Sequence, residues 1–252
     1  MTNPRGGAPS GAPSGLATER GNAAPSSEVS SMFDGISRVY DPMNLLISAF
    51  QELRWRRRAV ALTRLRPGGR AIDIATGTGK VAADLHRRVQ PGGEVLGVDI
   101  SPGMIGVAER RFNGRPGLTF AVGDALALPA PDAAFDAATI AFGMRNLPDY
   151  GQGFAEMRRV VRPGGRVVVL EITTPTGPPL STFLDLWFDH IVPVLGRLAG
   201  DADAYSYLPS SVRRFPAPQA LAAVMWEAGL RPVHYRITAG GIIALHVGEV
   251  PA

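Results

Sequence analysis

The chain has 252 residues and a formal net charge of +4; 45% of it is hydrophobic and 19% charged, and it holds 30 glycines, 22 prolines and no cysteine. So large an apolar share builds a sizeable core and excludes wholesale disorder, while the missing cysteines exclude disulfides, thiolate metal sites and a cysteine nucleophile. No apolar run approaches the roughly 20 residues a membrane-spanning helix needs, and no apolar signal core stands at the N-terminus, so a cytoplasmic protein is expected.

Residues 1–29 are Gly, Ala, Pro and Ser with almost nothing to bury, which predicts a disordered tail ahead of a single domain over 30–252. Met32, Phe33, Ile36, Val39 and Tyr40 recur at helical spacing, and an Arg-studded amphipathic helix is expected from Leu53 to Leu65. From Arg70 the pattern alternates. Apolar runs Ala71–Ala75, Val95–Val98, Leu118–Val122, Ala137–Ala141 and Val167–Leu170 read as buried strands, with helices near 79–89, 103–112 and 151–162 between them. Pro-Gly-Gly turns at 67–69, 91–93 and 163–165 each precede a strand. Repeated βα units imply an α/β fold with a parallel, doubly wound sheet. After it come an apolar helical stretch at Leu180–Leu198, a loop to Pro216, a helix at 218–228, and strands Val233–Ile237 and Ile242–Val247. The link Thr238–Gly241 is too short for anything but a hairpin, which makes the last strand antiparallel.

The sharpest local signal is Asp73-Ile-Ala-Thr-Gly77-Thr-Gly79, where the first strand meets its helix. Glycines there let the backbone turn sharply and approach a ligand, with helix N–H groups facing it. Gly77-x-Gly79-x-x-Ala82 also fits the dinucleotide fingerprint, and Asp99 at the end of the second strand could accept a ribose diol of either NAD or S-adenosylmethionine. The third strand discriminates. Its end, Gly123-Asp124-Ala125, sets an acid beside an adenine amino group, and Asp73 could support a methionine ammonium. Acids at three strand ends suit a sulfonium cofactor and would repel a pyrophosphate.

These features are similar to class I S-adenosylmethionine-dependent methyltransferases, which implies a Rossmann-like, mostly parallel seven-stranded sheet with helical N-terminal and 180–215 cap segments. Five further blocks resemble one family, the UbiE/MenG quinone C-methyltransferases. They are Tyr40-Asp-Pro-Met-Asn44 with Ser48 and Trp55, Phe142-Gly-Met-Arg-Asn146, Arg159-Val-Val-Arg-Pro-Gly-Gly165 with Glu171, Tyr207-Leu-Pro-x-Ser-Val212, and Thr238-Ala-Gly-Gly-Ile-Ile-Ala-Leu-His246. The resemblance implies methyl transfer from S-adenosyl-L-methionine to a ring carbon of a prenylated quinol, demethylmenaquinol becoming menaquinol. It implies cofactor contacts at Asp73, Gly77, Thr78, Gly79, Asp99, Ile100, Asp124, Ala125 and Ala141, with no metal. Arg145 and Asn146 would face the ring, Arg145 as a fixed cation lowering the quinol pKa, and Tyr40 would close over the site. Tyr40 and His246 are the candidate bases.

Four positions depart from the family's usual pattern: Glu52 for a frequent His, Lys80 for an acid, and Ala141 and Thr173 for Ser. Glu52 lies in the segment expected to help build the acceptor pocket, so a paralogue methylating another small aromatic or natural-product acceptor stands as the alternative. Arg54, Arg56, Arg57 and Arg58 with Trp55 read either as an anionic-bilayer contact, placing the enzyme at the inner face of the membrane, or as a solvated helix face. Leu180–Leu198 reads either as a cap for the prenyl chain or as a helix packed on the sheet or between two copies in a homodimer. No aromatic–basic pattern suggests nucleic acid. His86, His190 and His234 have no ligand spacing and read as structural.

Overall fold

The computed structural model describes residues 51–175, 177–191 and 209–252. The expected N-terminal tail, the helix around Met32–Tyr40 and the rest of the cap stretch after Ile191 lie outside these residues. A helix α1 (Glu52–Leu62) leads into β1 (Arg70–Ile74), α2 (Lys80–Val89), β2 (Glu94–Asp99), α3 (Pro102–Phe112), β3 (Leu118–Val122), β4 (Phe135–Ala141), a 3₁₀ turn (Met144–Asn146), α4 (Tyr150–Val160) and β5 (Val161–Ile172). Then follow α5 (Leu180–Leu186) with a π turn (Trp187–Ile191), α6 (Pro218–Glu227), β6 (Val233–Thr238), a 3₁₀ turn (Ala239–Gly241) and β7 (Ile243–Glu249). The seven strands lie in the order β3-β2-β1-β4-β5-β7-β6, with β7 antiparallel to both neighbours and the first five strands parallel. This is the expected Rossmann-like sheet.

Alternation along β1 distributes the core. Ala71 packs with Val60, Val81, Leu85 and Val89 beneath α1 and α2, while Ile72 and Ile74 pack with Phe154, Met157, Leu221 and Met225 beneath α4 and α6. Each fully buried Leu, Ile, Phe or Met contributes about 1.5–3 kcal/mol relative to exposure. Helix starts are set by short polar caps: Ser101 Oγ accepts from Met104 N–H at 3.0 Å, and Asp149 Oδ1 from Gln152 N–H at 2.8 Å.

Two expectations change. The turn at Pro163–Gly165 does not precede β5 but bulges from within it, since pairing jumps from Phe135↔Val161 to Ala137↔Arg166. Residues 209–214, expected as loop, are helical, and Ser211 and Val212 in that turn are buried.

Candidate active site

The cleft opens at the carboxyl ends of the parallel strands, where doubly wound sheets bind ligands. Just past β1, Ala75 takes φ +51°, Gly77 +55° and Gly79 +79°, and Gly79 caps α2. A side chain on Gly79 would come within 2.8 Å of the Phe120 ring, so that turn requires glycine twice over, for its φ and for its neighbour. Asp99 ends β2. Its Oδ2 accepts the Gly77 N–H at 2.7 Å and its Oδ1 the Ser101 N–H at 3.0 Å, so this carboxylate both faces the cleft and fixes the glycine loop.

After β3, Gly123 leaves no room for a Cβ against Pro129 and Val98, and Asp124 is aimed by accepting the Leu126 N–H at 2.9 Å. After β4, Phe142 takes φ +59°, and Gly143 passes so close to Ala75 that a Cβ there would collide with the Ala75 methyl. Two non-glycine residues in the left-handed region, at adjacent strand ends, store about 1–3 kcal/mol each at the cleft. The 3₁₀ turn that follows presents Asn146, whose buried Oδ1 has no protein partner.

Seven of the sequence-predicted residues come together on the cleft wall: Gly77, Asp99, Ile100, Asp124, Ala125, Ala141 and Asn146. Ala75, Met104, Gly123, Phe142, Gly143, Leu147 and Pro148 complete it and were not singled out from sequence. Phe142 and Gly143 stood inside a quoted block, and the position of strand ends was the signal available for most of the others.

The remaining predicted residues sit elsewhere. Asp73 is sealed beneath the loop, accepting hydroxyls of Thr76 and Thr139 at 2.6 Å each, and burial pushes its pKa up to about 7. It braces the loop and is not among the cleft-lining residues. Thr78 accepts a hydrogen bond from Arg111 Nη1 at 3.2 Å and, like Gly79, acts through the loop's shape. Arg145 is not among the cleft-lining residues. Its Nη1 donates to Glu171 Oε1 at 2.6 Å and to the Phe142 carbonyl at 2.5 Å, and its backbone N–H faces Glu171 Oε2 at 3.3 Å. Its charge is therefore balanced by a fully buried carboxylate, and the free cation expected beside a ring is replaced by an anchor of the 142–146 turn. His246 is corrected as a base: it lies in the β7 interior, bonded through Nε2 to the Pro218 carbonyl at 2.8 Å and 5.4 Å from the Tyr235 ring, with burial lowering its pKa to about 4. Tyr40 lies outside the described residues.

The Arg cluster also resolves. Trp55 packs on Phe142 with ring centroids 6.5 Å apart, and Arg56 pairs with Glu52 at 3.1 Å and Asp84 at 3.4 Å. Arg54, Arg57 and Arg58 remain exposed, Arg58 donating to Thr238 Oγ1 at 3.1 Å.

The polar side chains on the cleft wall are Asp99, Asp124 and Asn146, with no Lys or Arg among the described lining residues. Two carboxylates and an amide fit S-adenosylmethionine, which has hydroxyls and an amino group to donate and a cationic sulfur, and do not fit a pyrophosphate. Ala125, Ala141, Leu147 and Pro148 supply apolar walls for flat rings.

Comparison with known proteins agrees. Demethylmenaquinone methyltransferase of Thermus thermophilus is 47% identical over 87% of this chain and 100% of its own length, and that of Deinococcus radiodurans 43% over 88% and 92%. The Geobacter sulfurreducens ubiquinone/menaquinone biosynthesis C-methyltransferase is 39% identical over 92% and 90%. Among solved structures, a SAM-dependent methyltransferase from Thermotoga maritima superposes with a TM-score of 0.62 at 19% identity, covering 87% of this chain and 98% of that one, a likeness of fold. Residues 21–250 match the ubiE/COQ5 methyltransferase family, and the chain belongs to it.

Proposed function

We propose that the protein transfers a methyl group from S-adenosylmethionine to a ring carbon of demethylmenaquinol, giving menaquinol. The observation that carries this reading is the cleft itself: its polar side chains are Asp99, Asp124 and Asn146, with no cation among the described lining residues, in a chain 38–47% identical to relatives bearing that activity's name. Those identities leave the paralogue alternative unfavoured.

When bound, the cofactor supplies an electrophilic methyl group. Asp99, fixed by the Gly77 and Ser101 N–H groups, would hold a ribose diol, and Asp124 would hold the adenine edge beside Ala125. Asn146, carried on the cleft wall, orients a ring hydroxyl so that oxygen electron density feeds the neighbouring ring carbon. Phe142, Leu147 and Pro148 exclude water from that carbon. Arg145 and Glu171 hold the turn that carries Asn146. Transfer would form the bond from ring carbon to methyl as the cofactor's sulfur–methyl bond breaks, leaving S-adenosylhomocysteine, and the displaced ring proton would reach bulk solvent as the products leave the cleft.

A polyprenyl quinol resides in a bilayer, and none of the described helices is long and apolar enough to cross one. We propose that the protein meets its acceptor peripherally at the inner membrane face. Exposed Phe183, Leu186 and Ile191 of the α5 region, rather than the Arg cluster of α1, support that contact. Incubation with labelled S-adenosylmethionine and a reduced short-chain demethylmenaquinol, beside a demethoxy-type benzoquinol, tests the reading. Label on the naphthoquinol ring carbon is the expected result; tight cofactor binding with transfer to neither quinol would refute it.

A further inference from the structure

Lys80, the only lysine in the chain, occupies the first position of α2, immediately after the glycine loop. A cation is disfavoured there, because the helix N-terminus already carries partial positive charge, and the first turn of α2 contains no acid to offset it. The compensation comes from another helix. Glu52, the first residue of α1, brings Oε2 to 3.8 Å from Lys80 Nζ while its Oε1 takes Arg56 Nη1 at 3.1 Å. Arg56 in turn faces Asp84 of α2 at 3.4 Å. Glu52 and Lys80 are side chains 13% and 26% exposed, shielded enough for the pair to hold and open enough for salt to weaken it.

One turn along α1 from Glu52, Trp55 packs on Phe142, the strained residue of the cleft wall, and joins Ala141 in the same apolar cluster. The chain of contacts therefore runs from the cofactor loop through Lys80, Glu52 and Trp55 to the wall beside Asn146. We propose that the Glu52–Lys80 pair, backed by Arg56, is a latch that fixes α1 against the start of α2 and so positions the Trp55–Phe142 wall against which the quinol ring is held. Both are positioning residues acting through Trp55. The proposal rests on the quinol reading above.

The test is a double-mutant cycle with Glu52→Gln, Lys80→Met and the pair, and Lys80→Arg as the conservative rescue. With reduced short-chain demethylmenaquinol, each single substitution raises the acceptor KM about fivefold, the scale of a part-exposed ion pair, and the double is no worse than either single. Lys80→Arg stays within about twofold of wild type, and S-adenosylmethionine affinity by calorimetry is unchanged in all variants. Raising the salt from low to molar raises the wild-type KM and leaves that of Lys80→Met flat. A second readout needs no turnover: acetylation at Lys80, mapped by mass spectrometry on the folded protein, is faster in Glu52→Gln than in wild type. Additive effects in the cycle, a loss of cofactor affinity at constant acceptor KM, or unchanged acetylation would overturn the latch. A wild-type enzyme that methylates no quinol while Glu52→Gln still speeds acetylation would instead sink the function and spare the ion pair.

Discussion

Removing the Glu171 carboxylate is the most informative single perturbation of this site. In the native protein it is fully buried and receives three donors: Arg145 Nη1 at 2.6 Å, the Ile172 N–H at 2.9 Å and the Arg145 N–H at 3.3 Å. Glu171→Ala leaves a guanidinium that is only 8% exposed with the Phe142 carbonyl as its remaining partner at Nη1. An uncompensated buried charge of this kind costs about 3–5 kcal/mol. For a domain of this size that lowers Tm by about 10 °C. Arg145→Met/Glu171→Leu removes both charges together, and because a buried pair replaced by apolar groups is close to neutral, the double variant should recover to within about 1 kcal/mol of wild type. Turnover should not recover, since the turn carrying Asn146 has lost its anchor. Urea unfolding of the three proteins, with turnover on reduced demethylmenaquinol, reads both quantities. A single variant costing under about 1 kcal/mol, or a double variant as unstable as the single, would show that Arg145 is not spent on Glu171 in solution.

Two buried titrating groups give opposite pH slopes. Asp73 has its pKa raised to about 7 from 3.8, so its contribution to stability is fully present below pH 4 and is lost as pH rises through 7, worth about 4 kcal/mol over that window; Asp73→Asn removes that fall in urea titrations. His246 is lowered to about 4 from 6.5, so its contribution is present above pH 6.5 and lost as pH falls through 4, worth about 3 kcal/mol; His246→Gln flattens that acid limb, and a variant with an unchanged slope would refute the assignment. Because the windows overlap, the wild-type profile is nearly flat between pH 4 and 6.5 and only the variants expose each slope. Asp99→Ala should weaken S-adenosylmethionine binding by calorimetry on the order of 10–100-fold, since it loses a charge-assisted acceptor and unpins the Gly77 N–H. Gly79→Ala, forced to φ +79° beside Phe120, should cost about 1–3 kcal/mol and cofactor affinity with it; wild-type behaviour in either variant would contradict the loop geometry.

The sheet was legible because burial on both faces leaves continuous apolar runs, and because the few residues between Thr238 and Ile243 permit only a hairpin between β6 and β7. Gly77 was legible from the glycine turn after β1, and Asp99 and Asp124 because each stands at a strand end where a sulfonium cofactor calls for an acid. What escaped was pairing. Arg145 reads as a free cation until Glu171, 26 residues on, is found beneath it, and His246 reads as a base until the Pro218 carbonyl closes on it. Arg56 belongs to a basic run in sequence and to Glu52 and Asp84 in space. Local pattern reports which backbone forms and which face is apolar, since those depend on neighbours a few residues away. Whether a charge is spent or available depends on a partner brought in by the sheet, across a separation that no periodicity encodes, and only the tertiary structure decides it.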